Sequence, residues 1–233
     1  MIMNLWTQIL LGPDQESDSG IDPAARLEKI PPAVVRRLAL YSRVLSDLEL
    51  NNVEKINSSD LAELLGINSA QVRKDLAYFG QFGVPGFGYY VGDLRDNLKR
   101  ILRTDREINI ILVGVGNLGT ALTSYGGFHR QGFKIMMAFD ADRRKVGSNR
   151  QNLEIHHIDD MEARLAKAPA EIAILAVPGD VCQAVADRLV ACGIKGILNF
   201  VPRRLSVPDN VKVHYVDLSI EMETLSYYLR SQD

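Results

Sequence analysis

Cysteine and tryptophan are scarce, with two of the first and one of the second in 233 residues, and residues 1–22 hold no lysine or arginine. Cys182 and Cys192 lie ten residues apart in a stretch of helical pattern, about 15 Å along a helix, too far for a disulfide. They read as small buried hydrophobes in a reducing compartment. No apolar run nears the ~18 residues that cross a membrane, and residues 1–11 lack the basic start of a secretory signal. A soluble, cytoplasmic protein is expected. The four histidines, His129, His156, His157 and His214, are not set with cysteine or carboxylate at metal-ligand spacing, the nearest approach being His156 and His157 with Asp159. No metal is expected.

What is present is an ordinary globular composition, 46% apolar and 24% charged, long enough for two domains. The formal net charge of −2 hides an asymmetry. Residues 1–22 carry four acids, residues 23–106 thirteen bases against ten acids, and residues 107–233 fourteen bases against fifteen acids. The middle segment is the part suited to nucleic acid. The acidic, polar start reads as a disordered extension.

Residues 108–140 organise the chain. Ile108, Ile110, Ile111, Leu112 and Val113 form an apolar, largely β-branched run, as in a parallel strand buried on both faces. The turn Gly114-Val115-Gly116-Asn117-Leu118-Gly119 then supplies G-x-G-x-x-G. Its first glycine permits the tight turn, its second lets backbone approach a pyrophosphate, and its third lets the following helix pack on the strand. That helix is expected over residues 118–129, with its N-terminus open to phosphate. A second apolar run, 133–139, ends at Asp140, 21 residues past Gly119, where a carboxylate bonds the ribose hydroxyls of NAD and repels the 2′-phosphate of NADP. Arg143 and Arg144 stand close enough to weaken that preference.

Upstream, apolar positions at three- and four-residue spacing predict a first helix over residues 31–50. Ser58 or Ser59 caps a short second helix over 60–65 that Gly66 ends. Asn68 with Gln71 resembles a capping box for a third helix over 70–79. Two short helices about a tight turn form a helix-turn-helix pattern. In the third, Val72, Leu76 and Phe79 share one face, leaving Gln71, Arg73, Lys74 and Tyr78 for phosphates and base edges. Residues 80–90, with glycines at 80, 83, 86 and 88 and several aromatics, read as a hairpin wing in which Gly88 and its fellows allow close approach to a sugar-phosphate backbone, or else as a flexible linker. A helix over 91–102 bridges to the second domain.

After Asp140, strands are expected at 154–158, 172–177, 196–200 and 211–216, and helices at 160–167, 181–192 and 217–230. Val177, Pro178 and Asn199 stand at strand C-termini, the edge where open α/β sheets bind ligands. The last helix carries more apolar surface than it needs unless it docks, on its own domain or on another subunit. The domains expected are an extension (1–22), a winged-helix DNA-binding domain (23–104), a Rossmann dinucleotide domain (105–216) and a dimerisation helix (217–233). A dehydrogenase needs a further region for substrate and an acid/base group, and residues 107–233 leave no room for one. No catalytic residue is assigned. A small NAD-dependent oxidoreductase and a winged-helix repressor sensing another nucleotide stay open as alternatives.

Over residues 30–230 the chain resembles the Rex family of redox-sensing transcriptional repressors, through VRKDLAYFG, GFGY, VGVGNLG, SYGGF, AVP, GIKGILNF and VDLSIEMETLSYYL. The resemblance implies a homodimer with a swapped C-terminal helix, which binds an inverted-repeat operator in double-stranded DNA when NADH is low and leaves it when NADH rises relative to NAD⁺. It implies that Arg73 and Lys74 contact DNA, that Tyr89 sits in the wing, and that Tyr125 lies by the nicotinamide. It further implies that Arg43 and Asp217 form a polar relay with Tyr125. The first 20 or so residues depart from the family, and no role is read for them.

Overall fold

The computed structural model describes residues 30–84, 86–150 and 153–230, and divides between Asp105 and Arg106 into two units. The expected disordered extension lies outside the described residues.

In the first unit, α1 (Pro32–Leu50) carries proline in its first turn and buries Val34, Leu38, Tyr41 and Leu45 along one stripe. A two-residue strand, β1 (Lys55–Ile56), precedes α2 (Ser58–Leu65) and α3 (Ser69–Ala77), and β2 (Tyr89–Tyr90) leads into α4 (Val91–Leu102). The cap of α2 is Asn57 rather than Ser58 or Ser59: its side-chain oxygen accepts from the backbone N–H of Ser59 and Asp60 at 2.8 and 2.9 Å. Gly66, at φ +64°, ends α2 as expected. Leu38, Tyr41, Leu45, Leu61, Val72, Leu76, Leu94 and Leu98 form the core of the unit. An ion pair between Glu49 and Arg95 also ties α1 to α4.

The wing differs from the hairpin expected within residues 80–90. Tyr89 and Tyr90 pair antiparallel with Ile56 and Lys55, and only a Val84–Gly88 bridge closes the loop on itself. Two-residue strands give no alternation to read, so β1 was not foreseeable.

The second unit holds β3 (Ile108–Val113), α5 (Asn117–Thr123), α6 (Gly126–Arg130), β4 (Phe133–Asp140), β5 (Asn149–Arg150), β6 (Leu153–His157), α7 (Met161–Lys167), β7 (Ile172–Leu175), α8 (Cys182–Ala191), β8 (Gly196–Asn199), β9 (Lys212–Tyr215) and α9 (Leu218–Arg230). The sheet runs β5-β6-β4-β3-β7-β8-β9, parallel except for β5. Its six parallel strands follow the order 3-2-1-4-5-6 of the doubly wound dinucleotide-binding fold, with the switch point between β3 and β7. Ile111, Leu112 and Val113, each at most 1% exposed, lie in the middle, as their continuous apolar run requires.

The single helix expected over residues 118–129 is broken into α5 and α6 at Ser124-Tyr125. Gly126 and Gly127 follow, and paired glycines weaken a helix interior. A side chain at Gly127 would meet the Tyr125 ring at 2.4 Å. Both cysteines are free, Cys182 at the start of α8 and Cys192 at its end. Among the described residues no helix is long and apolar enough to cross a membrane.

Candidate functional sites

The glycine turn does what its spacing predicts. Gly114, at φ +95°, closes β3 so near β7 that a Cβ would meet the Ala176 carbonyl oxygen at 2.4 Å. At Gly119 a Cβ would meet the Gly114 oxygen at 2.0 Å, so only glycine lets α5 approach the turn. Gly116 is different: its φ of −77° suits any residue, and a Cβ there meets nothing within 4 Å. That open space lies at the N-terminus of α5, where unpaired backbone N–H groups favour an anion. Asn117 and Leu118 are exposed at its edge, and Val115 is buried beneath it.

Asp140 ends β4 beside this turn. Its carboxylate accepts from the backbone N–H of Val115 and Asp142 and from Lys145 Nζ, each at 2.8 Å. Burial pushes its pKa up, but the Lys145 ammonium and the two N–H groups outweigh burial and hold it below the usual carboxylate range. The group stays ionised, and Oδ1, with one donor, keeps acceptor capacity for a ribose hydroxyl. Arg143 and Arg144 turn to their own acids: Arg144 bonds Asp142 through Nε and Nη2 at 2.9 and 2.8 Å, and Arg143 reaches Asp159 at 4.0 Å. The base against Asp140 is Lys145, which the sequence reading passed over.

From the glycine turn a cleft of about 330 Å³ opens over the ends of β7 and β8, lined by Leu118, Ala176, Val177, Gly179, Phe200 and Arg203, among others. Val177 lies in the cleft as expected, and Pro178 stands exposed between two lining residues. Asn199 does not behave as a ligand contact. Fully buried, it donates to the carbonyls of Val201 and Arg203 at 3.1 and 3.0 Å and accepts from the Val201 N–H at 2.9 Å. Its amide fixes the loop that follows β8.

Tyr125 is 54% exposed, with its ring edge-on to Phe128 at 5.1 Å. Asp217 accepts from the Ser219 hydroxyl at 2.6 Å and its N–H at 2.9 Å, which hold its pKa below the ordinary value. Within the chain these two expected relay members are therefore not bonded to each other. Arg43, the third, is exposed on α1 in the other unit.

On the first unit, Arg73 and Lys74 are exposed on α3 and Tyr78 at its C-cap, as expected. Gln71 is not free. It donates to Asp75 Oδ1 at 2.6 Å instead of closing a capping box, while Asn68 alone caps α3 by accepting from the Ala70 N–H at 2.7 Å. Asp75 is wholly buried and also accepts from Arg37 Nε at 2.5 Å, Arg37 Nη2 at 2.8 Å and the Tyr41 hydroxyl at 2.7 Å. Burial drives the Asp75 carboxyl up, and the three donors, Arg37 foremost, bring it below its ordinary value. The cluster ties the recognition-type helix to α1.

Gly88, at φ +91°, passes so close to β1 that a Cβ would meet the Ile56 oxygen at 2.6 Å. Tyr89 is half-buried beside it; burial raises the pKa of its phenol, and the nearby charge of Arg73 opposes that. Lys55, foreseen by no pattern, lies 4.5 Å over the Phe87 ring and 4.9 Å over that of Tyr90. Arg73, Lys74, Tyr78 and this wing together make a basic and aromatic surface.

Comparison with known proteins agrees with this division. Residues 29–77 match the family described as putative DNA-binding protein N-terminus, and residues 105–203 match the CoA binding domain family. The redox-sensing transcriptional repressor Rex of Listeria welshimeri is 44% identical over 203 residues, 87% of this chain and 94% of that one. The protein of the same name from Carboxydothermus hydrogenoformans is 46% identical over 202 residues, 87% of this chain and 97% of its own. A crystal structure of RSP with β-NAD⁺ and operator DNA matches with a TM-score of 0.82 at 41% identity, covering 87% of this chain and 94% of that one. RSP with β-NADH matches at 0.79 and 39%, covering 88% and 96%. RSP is itself described as a Rex-family repressor. A helix-turn-helix unit ahead of a glycine-turn nucleotide unit, matched along nearly nine-tenths of the chain by proteins of this one kind, places the chain in the Rex family of redox-sensing transcriptional repressors.

Proposed function

We propose that this protein is a transcriptional repressor, not an enzyme, that reports the NADH/NAD⁺ ratio to DNA. One observation carries the reading: a dinucleotide turn built to Rossmann geometry shares a chain with a helix-turn-helix unit whose exposed face carries Arg73, Lys74 and Tyr78. The relatives that bind NAD⁺ with operator DNA, and NADH, span the same two units.

In this reading Gly114, Gly116 and Gly119 with the α5 N-terminus seat the pyrophosphate, Asp140 receives the adenosine ribose, and the cleft of Val177 and Pro178 takes the nicotinamide half. The oxidation state of that ring supplies the signal. Asp140 favours NAD(H), since a 2′-phosphate would meet its carboxylate. Arg73, Lys74 and Tyr78, with Gly88 and Tyr89 of the wing, face an inverted repeat as a pair of copies in the cytoplasm. The apolar residues of α9 support that pairing: Leu218, Met222 and Leu225 are each more than half exposed. Gln71 braces the buried Asp75 from the edge of the DNA-facing surface, and Asn199 holds the loop after β8 rather than touching ligand. Tyr125, Asp217 and Arg43 form a polar relay that changes partners between the two redox states, Asp217 accepting from Ser219 in the arrangement seen here. Release of such an operator frees genes for fermentation and alternative electron disposal.

Linkage bounds the effect. If NADH favours the non-binding arrangement by about 2 kcal/mol per site, two sites weaken DNA binding roughly a thousandfold. Fluorescence anisotropy of a labelled inverted-repeat duplex, titrated with NADH, NAD⁺ and NADPH, tests the proposal. Release by NADH alone is expected; tight binding indifferent to all three would refute it, and turnover of a hydroxy- or oxo-substrate would return the oxidoreductase reading.

A further inference from the structure

The loop after β8 reads Val201-Pro202-Arg203-Arg204-Leu205, and its two arginines have different surroundings. Arg204 lies 5.7 Å over the Tyr215 ring, and the hydroxyl of that tyrosine accepts from the Leu205 N–H at 2.9 Å. Arg203 instead lines the cleft. Its backbone is held on both sides, since its N–H donates to the Val201 carbonyl at 2.7 Å and its own carbonyl accepts from Asn199 at 3.0 Å. Its side chain crosses Gly179, where a Cβ would stand 3.6 Å from Nε and 3.7 Å from Cδ. The chain is thus carried from the end of β8 across to the loop after β7.

The remaining lining, Leu118, Ala176, Val177, Gly179, Phe200, Val201 and Pro202, bears no charge. Among the described residues Arg203 makes no ion pair, and Asp180, next to Gly179, is not bonded to it. Among the residues that line this cleft, Arg203 is therefore the one that carries a formal charge. Asp140 and Gly116 assign the adenosine ribose and the pyrophosphate to the β3–β4 side, so the nicotinamide half falls on the β7–β8 side, with Arg203. The oxidised ring carries a positive charge, and the reduced ring carries none.

We infer that Arg203 sets redox selectivity: its fixed positive charge disfavours the cationic ring of NAD⁺ and so biases the site toward NADH. The inference rests on the dinucleotide reading above and goes beyond it by naming the residue and the force. A guanidinium could instead serve the phosphates, but that contact would help both redox states equally, and the two roles separate in one measurement.

Calorimetric titration of the full chain with NADH, NAD⁺ and ADP-ribose, for the native protein, Arg203→Gln and Arg203→Lys, is the test. The expected result is a fall of about fivefold in the NADH:NAD⁺ affinity ratio on Arg203→Gln, the scale of a partly screened charge pair. Arg203→Lys keeps the ratio, and added salt shrinks the native ratio toward that of the glutamine variant. Whatever ADP-ribose loses measures any phosphate contribution, which cancels from the ratio. An unchanged ratio with both nucleotides bound, or a ratio lost equally in the lysine variant, overturns the inference. Failure of the native chain to bind any of the three removes the dinucleotide reading itself, a distinct outcome. In the operator assay, Arg203→Gln should then need more NADH for release at a given NAD⁺ concentration.

Discussion

Replacing Arg37 by methionine removes the guanidinium from the buried Asp75 carboxylate while keeping an apolar stem of similar length. Native Asp75 accepts four hydrogen bonds, two from Arg37 and one each from Tyr41 and Gln71, at 2.5 to 2.8 Å. The variant leaves it ionised, wholly buried and with two donors. Removing one partner of a buried pair costs about 3–5 kcal/mol. Arg37 has 25% of its side chain exposed, so water can reach the vacated edge, and the lower end, about 3 kcal/mol, is expected. The pH dependence has a definite sign. In the native protein the folded pKa of Asp75 is depressed, so its contribution is complete above the unfolded value, near pH 4, and is lost as pH falls through the folded value. In Arg37→Met burial is less opposed, the carboxyl rises, and the deficit is greatest near pH 7 and fades below about pH 4. Arg37→Met/Asp75→Leu, which removes both charges, should recover most of the loss. Urea unfolding of the three proteins by circular dichroism at both pH values measures this. A loss under about 1 kcal/mol near neutral pH, or one that persists undiminished in acid, would refute the buried pair.

Three further substitutions test the glycine turn and the exposed face of α3. Gly116→Ala should leave stability within about 0.5 kcal/mol, its Cβ meeting nothing, yet weaken NADH binding about tenfold by filling the pyrophosphate space, whereas Gly119→Ala should destabilise the unit by about 2 kcal/mol or more. Thermal unfolding with and without NADH separates the two, and equal behaviour would remove the close-approach argument. Lys74→Ala should weaken operator binding on all sequences alike and lower the salt slope of log K by about 1, measured by anisotropy across a salt series; an unchanged slope would take Lys74 off the DNA.

The parts of the fold that announce themselves in sequence are those where backbone chemistry admits few residues. Gly114 and Gly119 were legible because a Cβ at either would strike a carbonyl oxygen, and the motif records that exclusion. The buried strands were legible because burial on both faces leaves nothing but apolar, β-branched side chains. The break between α5 and α6 was written in Gly126 and Gly127 but masked by Leu118, Leu122, Tyr125 and Phe128, whose four- and three-residue spacings carry a helical period across it. The cap of α2 lies one or two residues before the expected Ser58 or Ser59 because asparagine and serine both accept from the first turn, and only geometry shows that Asn57 does so.

Gln71 and Asn199 make a more general point about polar residues beside a site. Each stands where a ligand contact was expected, on α3 and at the end of β8, and each bonds the protein instead. Gln71 bonds the carboxylate that holds α3 to α1, and Asn199 bonds the carbonyl of Arg203. Sequence spacing cannot separate the two uses, because both need a hydrogen-bonding side chain at the same position. The physical reason for the inward use is that a contact residue acts only if its backbone is fixed, and fixing it requires partners for groups that burial would otherwise leave unpaired. Loss of either amide would then weaken ligand binding without any contact to the ligand. Such a loss would depend on the contact residue it supports: Asn199→Ala should change the NADH:NAD⁺ ratio in the native background and leave it unchanged once Arg203 is glutamine. Equal effects in the two backgrounds would mean that the amide reaches the nucleotide by another route.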